Sequence, residues 1–320
     1  PSEANYMPGT LVEAVFADAA AKGLISEKNL HRAFRACVEN SNWVSQGRKV
    51  GRKCVNEYKT LGYVPYDKCN ESVNETLDCA YGDFCISVLA EKCGDMQAQT
   101  AFLASSQNYK NLFDKESGFM RAKDSAGNFR PDFNAFAWGR DYTEGSAWQN
   151  SFAVPHDYIG LANLYGGKDA FLAKIDELFA TSPEYTIGGY PLEIHEMTEM
   201  AAVDFGQCAI SNQPCFHIPF MYAEFGEQAK THAIVKRMVE TVFSYKDDGF
   251  PGDEDNGTMA AWYIFTVLGF YPTCPGKTDF VVSGALVDKA TLVLDGRQVD
   301  LLRNIQNKQR VEYSALICDK

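Results

Sequence analysis

Apolar residues recur at three- and four-residue spacing through most of the 320-residue chain, with polar faces between them. That period predicts helices over Leu11–Ala21, Glu27–Glu39, Ser72–Lys92 and Gln97–Phe113. Within the third, Asp78–Leu89 is aromatic and apolar nearly all round, as expected of a helix packed on two sides. Further helices are expected over Trp148–Tyr165, Ala170–Phe179, Pro214–Phe225, Gln228–Phe243 and Met259–Leu268. Turn-rich connections separate them: Asp124–Asn134, Gly166-Gly167, Gly188-Gly189 and Asp247–Gly257. Near the end the period shortens. Asp279–Val282, Ala290–Leu294 and Val311–Ser314 read as strands, with Asp295-Gly296 as a hairpin turn. No internal repeat or low-complexity linker interrupts the chain. The expected fold is mostly α, helices in pairs with the chemistry in the loops joining them, followed by a small β tail.

Composition narrows what such a fold does. At 46% hydrophobic and 22% charged the chain is globular rather than disordered. A net charge of −12 lacks the basic footprint of a nucleic-acid binder and suits a neutral substrate or a cation. The longest apolar stretches, near Ala260–Phe270, are too short to span a bilayer. The ten cysteines form no CxxC and no paired Cys/His set, which argues against zinc; most read as small buried hydrophobes, with room for one or two disulfides. Sequons at Asn70, Asn74 and Asn256 suit a secreted protein. The first residue, Pro1, is no initiator, so processing or truncation is expected to have removed the true start.

Four segments concentrate titratable, amide and aromatic side chains. The first runs from Tyr142-Thr143-Glu144-Gly145-Ser146-Ala147-Trp148-Gln149 to Pro155-His156-Asp157. Glu144 in the first turn of a helix would favour its dipole, and that is the plainer use of the residue. A carboxyl in a loop beside Trp148 also has the desolvated setting of a general acid. The second, Glu193-Ile-His195-Glu196-Met-Thr-Glu199, fails the zinc-protease pattern because Glu199 stands where a second His belongs. On a helix His195 and Glu199 would share one face, either as an exposed polar surface or as a site. The third, Asn212-Gln213-Pro214 with His217, offers amides that organise a turn or act as hard oxygen donors to calcium. The fourth is the acidic loop Asp247–Gly257, which carries Asp253, Glu254 and Asp255 and runs directly into an apolar helix. A solvated acidic turn is its plain explanation; carboxylates crowded at an apolar wall otherwise call for protonation, a cation or catalysis.

In this order and at these separations the four segments resemble the calcium-dependent α-mannosidases of glycoside hydrolase family 92. The likeness extends to Tyr63-Val-Pro65, Ser72–Ile86, Gln107–Asp114, Gly118-Phe-Met-Arg121 and Gly269-Phe-Tyr-Pro272, about residues 8–300 in all. It implies an inverting exo-α-mannosidase whose catalytic (α/α)6 toroid follows an N-terminal β-sandwich. Residues 1–275 would then be a partial toroid, incomplete at its N-terminus, and 276–320 a short, truncated β-rich segment. By the resemblance Glu144 is the general acid, and Asp253 and Asp255 activate water across the sugar. Calcium is implied as the cofactor, with Glu199, Asn212 and Gln213 as its candidate ligands. His195-Glu196 matches the dipeptide of members selecting α-1,2 linkages, and Trp148, His156, Asp157 and Arg121 are implied sugar contacts. The expected partner is a mannose-containing glycan, an N-glycan or mannan, in an extracytoplasmic compartment. Two departures stand out. Ser146 takes a place often held by Asn, and the β-sandwich that completes the family's site has no counterpart in the chain. The alternatives are a different (α/α)6 glycosidase, or a carbohydrate-binding fragment without activity.

Overall fold

A computed structural model describes residues 11–44 and 51–317. Cys318 lies outside them. Among the described residues there are fourteen α-helices and nine short strands, so the chain is mostly helical, as the apolar period predicts. By its internal contacts it divides into two units. One holds residues 11–171, 184–194 and 275–277, and the other 172–183, 195–274 and 278–317.

The first unit is organised by one long helix. Helices α1 (Val12–Ala21), α2 (Glu27–Asn42), α3 (Val55–Leu61), α4 (Ser72–Cys93) and α5 (Met96–Ser105) follow in order, and α1, α2 and α5 pack on α4. Sixteen residues of α4 are buried, on every side of the helix, in keeping with the apolar and small residues that run round most of its surface. One enclosed guanidinium faces two of the enclosed carboxylates. The Arg52 guanidinium lies 2.5 Å from Asp83 and 3.6 Å from Glu13, all three almost fully buried. The expected helix to Phe113 ends sooner: α5 gives way to a 3-10 turn over Ser106–Leu112, after which β1 (Phe113–Asp114) pairs antiparallel with β2 (Phe119–Met120). The expected Trp148–Tyr165 helix is two helices, α6 (Ala147–Asn150) and α7 (Tyr158–Leu164). Pro155 between them has no N–H to continue a helical ladder, and Asp157 restarts it by accepting from Gly160 N–H at 2.8 Å. Strand β3 (Ala137–Trp138) pairs in parallel with β4 (Thr186–Ile187).

Helix α8 (Lys168–Ala180) leads into the second unit. There α9 (His195–Val203), α10 (Met221–Glu224), α11 (Gln228–Val242) and α12 (Thr258–Leu268) precede the strands. The expected Pro214–Phe225 helix is mostly 3-10: prolines at 214 and 219 break it into short turns before α10. Strand β5 (Phe270–Tyr271) pairs with β6 (Asp279–Val282), and β6 with β9 (Arg310–Glu312). The expected hairpin is present as β7 (Thr291–Leu294) and β8 (Arg297–Asp300), turning at Asp295 and Gly296 with φ of 48° and 77°. The compact units divide the chain elsewhere than at residue 275. The reason lies in one apolar cluster: Phe270, Phe280, Val282 and Val311 enclose Phe265 and Leu268 of α12, so the β segment shares a core with the helix before it.

Breaking the ion pair around α4 leaves buried carboxylates without a counter-charge. Arg52→Ala is therefore expected to lower unfolding free energy by about 3–5 kcal/mol, read from chemical denaturation, with Arg52→Lys recovering part of it.

Candidate active site

In the first unit the site begins with a loop held on the start of α4. Glu71 N–H donates to the Arg140 carbonyl at 2.7 Å and Val73 N–H to the Asp141 carbonyl at 3.1 Å. Asn74 Oδ1 accepts from Thr143 N–H at 3.0 Å, while its amide donates to Asn150 Oδ1 at 2.7 Å. These contacts fix Arg140–Thr143, and Glu144 follows in a left-handed backbone conformation at φ 43°. A non-glycine residue in that region is strained and is held by its surroundings. Here the holding group includes Tyr190, whose hydroxyl accepts Glu144 N–H at 2.8 Å. Beyond it Ser146 and Gln149 form a capping box that starts α6. The half-buried Glu144 shares its surroundings with Glu71, whose carboxyl is pushed above its ordinary range by burial, with Glu75 and Glu144 adding repulsion.

The neighbours expected from this segment occupy structural positions. Trp148 is 4% exposed and packs edge-on against Phe119, ring centroids 4.8 Å apart. His156 is 6% exposed, stacks on Tyr81 and Phe84, and has Nε2 2.9 Å from the Ser106 carbonyl. Burial pushes its pKa down to about 4, so the ring is neutral. Asp157 caps α7 and accepts from the Tyr109 hydroxyl at 2.8 Å; burial raises its pKa, but these hydrogen bonds hold it below the ordinary value. Arg121 donates to Asp114 at 2.8 Å and to the Arg130 carbonyl at 2.8 Å, and lies 4.5 Å over the Phe133 ring. All four side chains thus have partners within the protein.

The second unit gathers the other candidates. His195 opens α9, and its Nδ1 lies 2.9 Å from Glu199 Oε1, one helical turn on. Its Nε2 is 3.3 Å from Glu196 Oε1 and 3.9 Å from Asp253 Oδ2. The Glu199 hydrogen bond, with the charges of Glu196, Glu199 and Asp253 adding to it, raises the His195 pKa against the opposing effect of burial. The Gln213 amide donates to Asp255, which joins the amide segment to the acidic loop. Gly252 permits that approach: a Cβ there would lie 2.2 Å from the Ser211 carbonyl. Asp255 and Asn256 have φ of 50° and 56°, so the loop is tightly coiled, and Glu254 turns inward to accept Gly257 N–H at 2.6 Å at the start of α12. Asp253 is left projecting, its side chain 73% exposed.

Each unit thus presents carboxylates on a braced loop, Glu144 in the first and Asp253 with Asp255 in the second. The catalytic-domain model of glycosyl hydrolase family 92 matches residues 1–315. The chain belongs to that family. An inverting family GH92 mannosidase from Bacteroides thetaiotaomicron is 31% identical, with a TM-score of 0.83 over 99% of this chain and 45% of that one. A family GH92 α-mannosidase from the same organism, in complex with mannoimidazole, is 27% identical, with a TM-score of 0.84 over 97% of this chain and 42% of that one. A secreted glycosidase described as uncharacterized, from Arthroderma benhamiae, is 25% identical over 306 residues, 86% of this chain and 36% of its own. The chain spans less than half the length of these family 92 relatives and of the secreted glycosidase.

A divalent ion finds partial provision in this family 92 chain. Among the described residues no three His, Cys, Asp or Glu side chains form a metal-binding group. Buried Oε2 atoms of Glu196 and Glu199 nonetheless meet no hydrogen-bond donor. Carboxylate and amide oxygens are hard donors of the kind calcium takes, so Glu199 with Asn212 and Gln213 fits in chemistry. No helix among the described residues is long and apolar enough to cross a membrane. Two supporting residues are invisible to motif reading. Tyr190 follows Gly188-Gly189, which reads only as a turn; a Cβ on Gly189 would lie 2.0 Å from the Arg140 nitrogen, so the glycine is what lets Tyr190 reach the loop. Asn74 reads as a sequon, but it is 9% exposed and both ends of its amide are engaged.

The depressed His156 pKa has a pH signature. Between about 6.5 and about 4 the unfolded chain binds a proton at this residue that the folded chain does not, so stability falls as pH falls through that window. Denaturation at pH 7 and pH 4.5 should show His156→Gln losing less stability on acidification than the parent chain, by up to about 3 kcal/mol.

Proposed function

We propose that this family 92 chain carries the catalytic carboxylates of an inverting, calcium-dependent exo-α-mannosidase acting on terminal α-1,2-linked mannose of N-glycans or mannans. The observation that carries the reading is the construction of Glu144. A half-buried glutamate has its backbone strained and its N–H held by Tyr190, on a loop that α4 anchors, within a family whose solved relatives include an inverting mannosidase. Strain held in this way by a scaffold is expected where a group must be positioned rather than merely solvated.

In this mechanism Glu144 protonates the glycosidic oxygen as the bond to the anomeric carbon breaks. Asp253 and Asp255 take the proton of the water that attacks the opposite face. Inversion requires acid and base carboxyls roughly 6.5–9.5 Å apart, leaving space for that water. Gln213 orients Asp255 through its amide, and His195 stands beside Asp253. Glu199, Asn212 and Gln213 would hold calcium, which when bound supplies positive charge to orient sugar hydroxyls. His195 and Glu196 would face the leaving sugar and set the α-1,2 preference. The sequons at Asn70 and Asn256 are exposed, which supports an extracytoplasmic setting, as does the description of the Arthroderma relative as secreted. An upstream β-sandwich would complete the site.

Replacing the acid separates chemistry from binding. With an unactivated α-1,2-mannobiose, Glu144→Gln is expected to lower kcat/KM by roughly three or more orders of magnitude. With a dinitrophenyl mannoside, whose leaving group needs no proton, the loss should be far smaller. Equal losses on both substrates would remove Glu144 from the role of acid. Chelation by EDTA should abolish mannose release and added calcium restore it; a rate indifferent to both would end the metal's part.

A further inference from the structure

Two pairs of cysteines lie at the bases of the loops described above. Cys54 precedes α3 with a left-handed φ of 46°, and Cys69 lies in the turn leading to α4. Both pack against the cluster of Tyr58, Val64 and Cys79, and their thiols are hydrogen-bonded to each other. In the second unit Cys208 and Cys215 are fully buried, and their thiols are hydrogen-bonded likewise. A buried cysteine acting only as a small hydrophobe has no need of a second sulfur in contact. Sulfurs at hydrogen-bonding range need to close by only about 2 Å to reach the 2.03–2.05 Å of a bridge.

We propose that Cys54–Cys69 and Cys208–Cys215 are disulfides of the oxidised protein, each tying down one loop of the candidate site. Cys69 stands two residues before Glu71, whose N–H holds the Arg140 carbonyl ahead of Glu144. Cys208 and Cys215 bracket Asn212 and Gln213, the segment that meets Asp255. A bridge in each place shortens the free chain on which those contacts depend. Neither bridge requires the mannosidase reading.

The chemistry is thiol–disulfide exchange with a small-molecule disulfide such as oxidised glutathione. Once deprotonated, one thiol of the pair, here written as Cys54, is the first nucleophile. Its thiolate attacks one sulfur of the oxidant and expels a glutathione thiolate. The Cys69 sulfur, its proton lost to solvent, then attacks the Cys54 sulfur of the mixed disulfide and expels the second. Two protein thiols and one oxidised glutathione become one protein disulfide and two reduced glutathiones. Cys208 and Cys215 react by the same balance while the chain folds, before burial closes them off.

The test is peptide mapping of the full chain folded in oxidised glutathione, then alkylated with iodoacetamide in denaturant and digested without reduction. Linked peptides joining Cys54 to Cys69 and Cys208 to Cys215 are expected, with none of the four alkylated until a reductant is added. In Cys54→Ser, Cys69 should become alkylated while Cys208–Cys215 stays linked. Full alkylation of either pair in the parent chain, or a link from Cys69 to Cys79, overturns the assignment. Amide hydrogen exchange at Val73 and Thr143 should quicken by roughly tenfold when the bridges are reduced; unchanged exchange overturns the claim that the first bridge steadies its loop.

Discussion

The loop that presents Glu144 depends on the start of α4. A helix N-terminus has backbone N–H groups with no partner inside the helix, and here those of Glu71 and Val73 are met by carbonyls of the loop that presents Glu144. Asn74 adds a side-chain grip on Thr143 in the same place. One set of otherwise unsatisfied donors thus serves two purposes, capping the start of α4 and fixing the loop of a catalytic candidate. The burial of α4 on every side makes the anchor rigid, since a helix enclosed by three others cannot tilt to relieve a strained loop. Glu144 can then occupy an unfavourable backbone conformation because the scaffold carries the cost.

The second unit uses a different device. Its acidic loop is brought against the Ser211–Gln213 segment by a glycine that no side chain could replace at that distance. Glu254 is consumed in capping α12, which leaves Asp253 and Asp255 as the carboxylates available for chemistry. One of the three acids in the motif therefore keeps its structural use while the others acquire partners suited to a site. His195, placed between Glu199 and Asp253, has its pKa raised by the Glu199 hydrogen bond and the neighbouring carboxylates, against burial.

Much of this was legible in the chain. The apolar period located α1, α2, α4, α11 and α12 closely, because each has a face or an entire surface to bury. It failed where proline and local hydrogen bonding override periodicity. Residues 148–165 break at Pro155, and residues 214–225 collapse into 3-10 turns around two prolines. The site motifs were legible as segments but not residue by residue. Trp148 and His156 look like ligand contacts in a string of letters, yet both are buried, while the half-buried Asp157 and Arg121 already hold hydrogen bonds within the protein. Asn74 and Tyr190 have the opposite character, since their partners lie 69 and 46 residues away and no local pattern announces them.

The stereochemistry of hydrolysis tests the proposed mechanism most directly. Proton NMR of an α-mannoside during the first minutes of turnover, recorded before mutarotation, reads which anomer leaves the site. Two carboxylates acting across the sugar with water between them release β-mannose first. Release of α-mannose first would contradict that arrangement and require a covalent intermediate on one of the two.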